Sequence, residues 1–349
     1  MQPTNYHTYN EIKTQTEAWA QALDVVRVSD SPKAGDYNQV IFIGCGSTYY
    51  LSLAAAALYA ELTGRSARAV PASELLLNLR ASVGRIGNPP MRDGIPHHDL
   101  LVAISRSGTT TETIKAVEKF KAEKRGDVLV ISNYDEVLSR LADINIVIAE
   151  GQEQSVAQTR SFASMYVAVT ALCAKMAGRE DLISAMADLP RIGNWVIGNY
   201  EAWAKRIGEN LSFDRFYFLG SGIRYGLACE VNLKMKEMTL THSEPFHFLE
   251  FRHGPMSMVN QNTVVVGMLS EANRAHEAKV LEEMVALGGT VSTVGEKEAD
   301  VSFESNIPEE VRGVLYLPVL QLMAFYRSLA KGLNPDRPNN LTAVVKLNL

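Results

Sequence analysis

A segment of the chain repeats itself at a constant offset of 176 residues. A short apolar run followed by Gly-x-Gly ends at Gly46 and again at Gly222, and the same offset relates Tyr49 to Tyr225. In each copy the apolar run has the length of a buried strand, and the segment after the glycines has the pattern of a helix. The repeat therefore predicts one α/β unit present twice, which accounts for a chain of 349 residues when a typical domain has about 100–150.

Strands and helices alternate along both copies. The first copy predicts strands at 39–43, 100–104, 128–131 and 144–148, and the second predicts strands at 216–219, 264–269 and 290–294. Helices are predicted at 8–28, at 49–62, directly after 110, from near 155, and at 199–209. This order is typical of an α/β protein with two tandem doubly wound domains, each a parallel sheet flanked by helices. We place the N-terminal helix and the first copy in residues 1–198, and the second copy with a C-terminal tail in residues 199–349.

Composition argues against several classes of protein. Lys and Arg total 34 against 39 for Asp and Glu, and this net charge of −5 disfavours a nucleic-acid-binding protein. The three cysteines, Cys45, Cys173 and Cys229, show no Cys-x-x-Cys spacing, so neither a disulfide framework nor a metal site is predicted. The start of the chain lacks the pattern of a signal peptide, and the apolar run Leu51–Ala60 is too short to span a bilayer. We expect a cytoplasmic protein with no membrane or nucleic-acid partner.

Small hydroxyl side chains follow three of the predicted strands. The segment Ser105–Thr110 has four of them around one glycine, Ser47 and Thr48 follow the first Gly-x-Gly, and a further group at 155–161 surrounds Gln158. The carboxyl ends of parallel strands meet at one edge of a sheet, and a helix N-terminus offers N–H donors to an anion, so this pattern favours a phosphate site. The alternative is a set of Ser/Thr-capped helices that bind no ligand. A dinucleotide site is disfavoured, because a tyrosine stands where the fingerprint needs its third glycine.

Charged side chains form a different pattern in the second copy. Glu230, Lys234 and Glu237 recur at helical spacing, which is typical either of a solvated salt-bridge stripe or of a carboxylate tuned for proton transfer by a neighbouring lysine. His253, directly before Gly-Pro, is either a general acid or base or a loop histidine bound to the backbone. The loop after the second predicted strand of this copy contains Glu271, which would repel a phosphate. We therefore expect the first copy to hold an anion and the second to supply reactive groups.

Four motifs together resemble the sugar isomerase (SIS) family: Gly-Cys-Gly-Ser-Thr at 44–48, Ser-Arg-Ser-Gly-Thr-Thr at 105–110, Leu-Lys-Met-Lys-Glu at 233–237 and Glu-Phe-Arg-His-Gly-Pro at 250–255. The resemblance covers about residues 38–345 and extends to the isomerase half of glutamine–fructose-6-phosphate aminotransferase and to stand-alone hexosamine-6-phosphate deaminase/isomerases. It implies a sugar-phosphate site in the first copy and catalytic residues in the second. The phosphate-site residues that it implies are Ser105, Arg106, Ser107 and Thr110, with Ser47 or Thr48 nearby and Gln158 in the loop after the fourth strand.

The resemblance also implies a mechanism. Glu237 would move a proton between C1 and C2 of the sugar with Lys234 beside it, and His253, lent by the neighbouring subunit of a homodimer, would open the sugar ring. No cofactor and no metal are implied. The chain departs from the family at Arg106, where a glutamine is usual, and at Gln158, where a serine is frequent. It also departs in the tail, where Lys346 follows Asn-Leu later than the usual lysine.

These residues lead us to expect a phosphosugar isomerase or deaminase acting on a hexose- or hexosamine-6-phosphate, in the manner of glucosamine-6-phosphate deaminase, which gives fructose 6-phosphate and ammonia. The alternatives are a ketose/aldose phosphate isomerase without deamination and a fructosamine-6-phosphate deglycase. An alternative of another class is a sugar-phosphate sensor without catalysis. Position 2 is Gln2, not the cysteine of a glutaminase domain, and about 37 residues precede the first predicted strand, so we expect deamination or isomerisation in preference to synthesis.

Overall fold

The computed structural model of the protein describes residues 2–84 and 98–347. The chain divides into two compact units, each of them discontinuous in sequence. The unit that we call the first-copy unit contains Glu17–Gln152, Ser161–Ala187 and the segment after Ala343. The unit that we call the second-copy unit contains the N-terminal segment up to Thr16, Glu153–Arg160 and Asp188–Ala343. The domain boundary placed at residue 198 stays a prediction.

Strands and helices alternate in both halves of the chain. The first half contains α1 (His7–Val28), β1 (Val40–Gly44), α2 (Ser47–Thr63), β2 (Ala67–Pro71), α3 (Ala72–Leu77), α4 (Leu79–Val83), β3 (Asp99–Ser105), α5 (Thr111–Ala122), β4 (Gly126–Ser132), β5 (Ile144–Val147), α6 (Arg160–Met176) and α7 (Glu180–Ala185). The second half contains α8 (Leu189–Glu209), β6 (Arg215–Leu219), α9 (Ile223–Thr239), β7 (His242–Phe246), β8 (Thr263–Met268), α10 (Arg274–Ala286), β9 (Thr290–Gly295), β10 (Val301–Ser302) and α11 (Leu317–Ala330). Short 3₁₀ turns lie at Pro3–Asn5, Ala34–Asp36, Val137–Leu141, Ala149–Gly151, Met186–Asp188, Glu250–Arg252, Pro255–Met258 and Gly313–Tyr316.

The two sheets have the same topology. The first has the order β2-β1-β3-β4-β5, the second has the order β7-β6-β8-β9-β10, and all pairs are parallel. The registers also agree, since Val40 lies opposite Leu100 in the first sheet and Phe216 lies opposite Val264 in the second. This confirms the predicted fold class of two tandem doubly wound α/β domains.

The inner strands are buried on both faces, as parallel sheets covered by helices require. All residues of β1, β3 and β8 are buried, and these apolar runs are the ones that the sequence pattern predicted. The sequence pattern missed three edge strands: the two-residue strand β10, and β2 and β7, which are only partly buried. The polar residues and prolines of β2 and β7 suit an edge strand, which has a neighbouring strand on one side only.

Two predicted helix starts are wrong, each for a local reason. The helix predicted from near Ser155 begins at Arg160, because the N–H groups of Gln154 and Ser155 bind the carboxylate of Glu11 and are not part of a helix. The helix predicted at 199–209 begins ten residues earlier, at Leu189, with proline in its first turn. Proline is tolerated there because the first N–H groups of a helix have no partner within the helix.

One helical stretch of 18 described residues, Gly313–Ala330, is long and apolar enough to cross a membrane by length and composition. Within the fold, 89% of this stretch is buried inside the protein. It packs against α8 and α9, as expected for the core helix of a globular unit.

Candidate active site

A tight glycine turn joins the first strand to the first helix in each copy. A Cβ atom at Gly44 would lie 2.4 Å from the carbonyl carbon of Thr48, and one at Gly220 would lie 2.5 Å from the carbonyl oxygen of Arg224. The glycine two residues later has a φ of +56° in the first copy and +58° in the second, in the left-handed region that favours glycine. These requirements explain why Gly-x-Gly is repeated, and they bring the helix start close to the strand end in both copies.

Ser47 and Thr48 form the buried first turn of α2. The Thr48 hydroxyl accepts the N–H of Cys45 at 2.9 Å and donates to the Cys45 carbonyl at 3.1 Å, so it stabilises the turn itself. Burial raises the pKa of the Cys45 thiol to about 11, which keeps it protonated and unreactive at neutral pH. Of the two hydroxyl groups, the one on Ser47 is therefore better suited to a ligand.

The loop Ser105–Thr110 follows β3 at the same edge of the sheet, because β1 and β3 are adjacent parallel strands. Ser105 Oγ accepts the N–H of Gly108 at 3.2 Å, and Ser107 Oγ accepts the N–H of Thr109 at 3.2 Å. Gly108 has a φ of +65°, and Thr110 has an extended backbone directly before α5. A loop folded on itself in this way, followed by a helix N-terminus, is an anion-binding geometry.

Arg106 lies within this loop and is 7% exposed. Its carbonyl accepts the N–H of Asn133 at 3.1 Å, which ties the loop to the end of β4. The end of the C-terminal tail reaches the same place, since the N–H of Leu347 donates to Thr111 Oγ1 at 3.1 Å at the first residue of α5. Lys346, the lysine that comes later than in the family pattern, therefore lies beside this helix start.

Gln158 is half-buried in the loop before α6 and falls in the second-copy unit. The loop is held by Glu11, whose Oε2 accepts the hydroxyl of Ser155 and whose Oε1 accepts its N–H at 3.3 Å. Burial raises the pKa of Glu11 even though these hydrogen bonds favour its ionised form. The first helix of the chain thus positions the loop that carries Gln158.

Lys234 on α9 lies between two carboxylates. Its Nζ is 2.6 Å from Oε2 of Glu237 and 3.3 Å from Oε1 of Glu230. The side chains of Lys234 and Glu230 are 1% and 0% exposed, so the solvated stripe considered from the sequence is wrong. The Glu237 side chain is 20% exposed and is the one carboxylate of the three-residue network that reaches solvent.

The charges of this network stabilise one another. Burial alone would lower the pKa of Lys234, but Glu230 and then Glu237 more than offset it, so the pKa lies above that of an ordinary lysine. Lys234 is therefore an ammonium group at neutral pH. It donates to Glu237 and cannot act as a nucleophile.

His253 is exposed on the turn between Glu250–Arg252 and Pro255–Met258. Its backbone N–H donates to the carbonyl of Glu250 at 2.9 Å. The turn is anchored by the fully buried ring of Phe251 and by two hydrogen bonds from Arg252 to Glu283, both at 2.7 Å. A fixed turn therefore presents the imidazole outward, toward solvent.

The sequence reasoning missed a cluster of charged side chains at the carboxyl edge of the second sheet. Its residues are Arg224, Glu271, Glu277, Glu296, Glu309 and Arg312. The repeat contains a signal that could have indicated the cluster, because the charged Arg224 stands where the first copy has the uncharged Thr48. Within residues 2–84 and 98–347, no group of three or more His, Cys, Asp or Glu side chains is arranged to hold a metal ion.

Comparison with known proteins supports the resemblance. The SIS domain model matches residues 91–175 and 212–329. The glutamine–fructose-6-phosphate aminotransferase (isomerizing) of Methanothermobacter thermautotrophicus is 28% identical over 95% of this chain and 54% of its own length. That of Sulfurisphaera tokodaii is 29% identical over 88% of this chain and 50% of its own length. The chain thus spans about half the length of the curated relatives it matches.

Solved structures show the same fold over nearly the whole chain. Glucosamine-6-phosphate deaminase from Thermotoga maritima superimposes with a TM-score of 0.79 at 24% identity, covering 98% of this chain and 100% of its own. Tagatose-6-phosphate ketose/aldose isomerase from Escherichia coli gives a TM-score of 0.81 at 23% identity, covering 97% of each chain. With matched segments in both copies and the predicted topology in both sheets, the chain belongs to the SIS domain family.

Proposed function

We propose that the protein is a phosphosugar isomerase or deaminase that acts on a hexose- or hexosamine-6-phosphate by proton transfer between C1 and C2. The observation that carries the proposal is the buried ammonium of Lys234, which holds the partly exposed carboxylate of Glu237 at 2.6 Å. A fixed carboxylate in reach of solvent and next to a permanent cation is suited to moving a proton. The names of the relatives, an isomerizing aminotransferase, a deaminase and a ketose/aldose isomerase, support the same substrate class.

The proposal assigns phosphate binding to the first copy. The N–H groups at the start of α5 and the hydroxyls of Ser47, Ser107 and Thr110 supply donors, and the guanidinium of Arg106 adds a positive charge. Binding energy from the phosphate, which does not react, would hold the open-chain sugar in place for the reaction at C1 and C2.

The proposal assigns proton transfer to the second copy. His253 would assist ring opening, and Glu237 would take the proton from C2 and return it to C1 through an enediol or, with an amino sugar, an enolamine. Protonation of the enolamine at C1 gives a ketose imine, and water then adds to the imine carbon and releases ammonia. Lys234 stays charged throughout and keeps Glu237 in position.

The test of the reaction class is a panel of hexose, hexosamine and fructosamine 6-phosphates, in which ketose formation and ammonia release are followed separately. Ammonia from a 2-amino sugar supports the deaminase, and ketose without ammonia supports the simple isomerase. Release of an amino acid from a fructosamine supports the deglycase. Binding without turnover of any substrate would support the sensor and overturn the proposed mechanism.

The test of the mechanism is Glu237→Gln. Removing a general acid–base group lowers turnover by about 10²–10⁴-fold, while affinity for the phosphosugar stays close to that of the native protein. Glu209→Gln, at an exposed glutamate of α8, is the matched control and keeps native turnover. Unchanged turnover of Glu237→Gln would refute the role given to this carboxylate.

We further propose a homodimer in which His253 acts in the site of the neighbouring subunit. His253 is exposed on its own chain, and the turn around it exposes the apolar side chains of Leu249 and Met258, at 50% and 51%. Mixed subunits of Glu237→Gln and His253→Asn test this. Suppose that each site uses Glu237 of one chain and His253 of the other. Half of the randomly formed dimers then contain one chain of each variant, and one of their two sites is intact, so the mixture regains about a quarter of native activity. No recovery on mixing would place both residues in one chain.

A further inference from the structure

The second copy has the same strand-to-helix junctions as the first but carries its own carboxylates there. Val264 lies opposite Phe216 as Leu100 lies opposite Val40. The loop 270–274 before α10 therefore corresponds to 106–110 in the first copy, and Arg224 corresponds to Thr48. The two edges can be compared donor by donor.

Glu309 occupies the position of an anion at this edge. Its Oε2 accepts the N–H of Glu271 at 3.0 Å, and its Oε1 pairs with Nη1 of Arg224. The neighbouring N–H, that of Ser270, is bound by Oε2 of Glu277 at 2.7 Å. The loop thus binds oxyanions through its backbone, and the oxyanions are side chains of the protein itself.

Arg224 is only partly satisfied by this arrangement. It is the second residue of α9 and is 7% exposed. Its Nε, buried, has no hydrogen-bond partner within the part of the chain that the structure describes. A guanidinium presents donors in a planar fork that fits two oxygens of a phosphate, so an incoming phosphate would find a donor that Glu309 leaves unused.

The loop that carries Glu309 is fixed on both sides. Before it, Glu296 accepts the hydroxyl of Ser305 and the N–H of Asn306, both at 2.7 Å. After it, Arg312 donates to the carbonyl of Ile307 at 2.8 Å. A tethered carboxylate has a high effective concentration at the position it occupies, so it competes strongly with a free anion.

The sequence indicated one reason for expecting no phosphate in the second copy, and the structure indicates a different one. Glu271 was expected to repel a phosphate, but its carboxylate is 2.6 Å from Arg312 and 55% exposed. Its charge is balanced and faces solvent. The carboxylate that closes the edge is that of Glu309.

We propose that the second copy contains a latent binding site for a phosphate monoester or inorganic phosphate, formed by Arg224 and the N–H groups of the loop 270–274, and that Glu309 holds it closed. The ligand class rests on the function proposed above, since it is taken from the corresponding loop of the first copy. Displacement of Glu309 would expose Arg224 and the N–H of Glu271 to the same ligand oxygen atoms.

Titration calorimetry of the full chain with inorganic phosphate, at an ionic strength held constant with chloride, tests this site. Glu309→Ala is expected to bind one more phosphate per chain than the native protein does. Adding Arg224→Met to Glu309→Ala should weaken that extra binding by about ten-fold or more, because it removes the charged donor. Glu310→Ala, at the neighbouring glutamate, is the matched control and should bind phosphate as the native chain does.

Two results would overturn the proposal: Glu309→Ala binds no additional phosphate, or Arg224→Met does not weaken the additional binding. Where circular dichroism shows that Glu309→Ala is not folded, Glu309→Gln removes the charge with little change in shape, and the same titration decides. Turnover of the folded variant should stay within two-fold of native. Ser107→Ala separates the two proposals, because it should weaken the phosphate binding of the native chain by about ten-fold and leave the Arg224-dependent binding intact.

Discussion

Replacing the buried lysine of α9 is the most informative perturbation of stability. Lys234→Met keeps the length of the side chain and removes the ammonium that lies 3.3 Å from the fully buried carboxylate of Glu230. Breaking a buried pair by removing one partner costs about 3–5 kcal/mol, because the remaining charge is left without compensation. We therefore expect the free energy of unfolding to fall by about this amount, a large part of the usual 5–15 kcal/mol.

Equilibrium unfolding in urea, followed by circular dichroism, measures the change. The matched control is Lys205→Met, which breaks another i, i+4 pair, Lys205–Glu209, at 3.8 Å and with both side chains about half exposed. That variant should lose about 0.3–0.5 kcal/mol. The double variant Glu230→Gln, Lys234→Met should recover much of the lost stability, since no buried carboxylate remains without a partner.

The outcome that contradicts this reasoning is a loss for Lys234→Met as small as that for Lys205→Met, with no recovery in the double variant. It would mean that water reaches the network and that the carboxylates need no buried counter-charge. The proposed positioning of Glu237 by Lys234 would then lose its physical basis as well.

Three further predictions concern other parts of the molecule. Because folding raises the pKa of Lys234, the stabilising effect of its charge is complete below the ordinary lysine pKa of about 10.4 and is lost as pH rises through the folded pKa. The free energy of unfolding, measured at increasing alkaline pH, should therefore fall more steeply for the native chain than for the double variant. Ser107→Ala should raise KM for the phosphosugar by about ten-fold with little change in kcat, as steady-state kinetics would show, and an unchanged KM would remove this hydroxyl from the phosphate site. In α8, Gly198→Ala should stabilise the protein by about 1 kcal/mol, because a Cβ atom there meets nothing within 4 Å. Gly208→Ala should destabilise it by about 1–3 kcal/mol, because its Cβ would lie 2.4 Å from the Met323 carbonyl oxygen. Urea midpoints of the two variants that shift in the same direction would contradict this account.

The inner strands of both sheets could be predicted because burial on both faces leaves a continuous apolar run, as in Ile41–Ile43. The edge strands β2 and β7 could not, because partial burial lets Arg68 or Glu244 stand within them, and such a segment has the composition of a loop. Their places follow only from the repeated topology. Once one unit has the order 2-1-3-4-5, its copy is expected to have the same.

The candidate site was predictable where spacing along one element decides the contacts. Residues three and four apart on a helix are neighbours, so the meeting of Lys234 with Glu230 and Glu237 follows from the sequence. Their burial does not, because it depends on the elements that cover α9, such as α11. Two further contacts could not be predicted from the sequence. The hydrogen bonds of the Thr48 hydroxyl to Cys45 depend on a local turn. The contact of Glu309 with Arg224 depends on a loop 85 residues away in the sequence.

The two copies show how a duplicated fold can divide its tasks at equivalent positions. Both keep the glycine turn, because any side chain at Gly44 or Gly220 would meet the backbone of the following helix. Beyond that turn, the first copy has threonine where the second has Arg224. The first copy also has a loop whose N–H groups bind serine hydroxyls, where the second has a loop whose N–H groups bind carboxylates. An anion-binding edge that has no ligand leaves its donors unpaired at a cost, so a copy that gives up its ligand is stabilised by a carboxylate of its own. On this reasoning the Glu309 carboxylate, paired with Arg224, is the counterpart of the phosphate that we propose for the first copy, and the helix that follows Gly220 is left to carry Lys234 and Glu237.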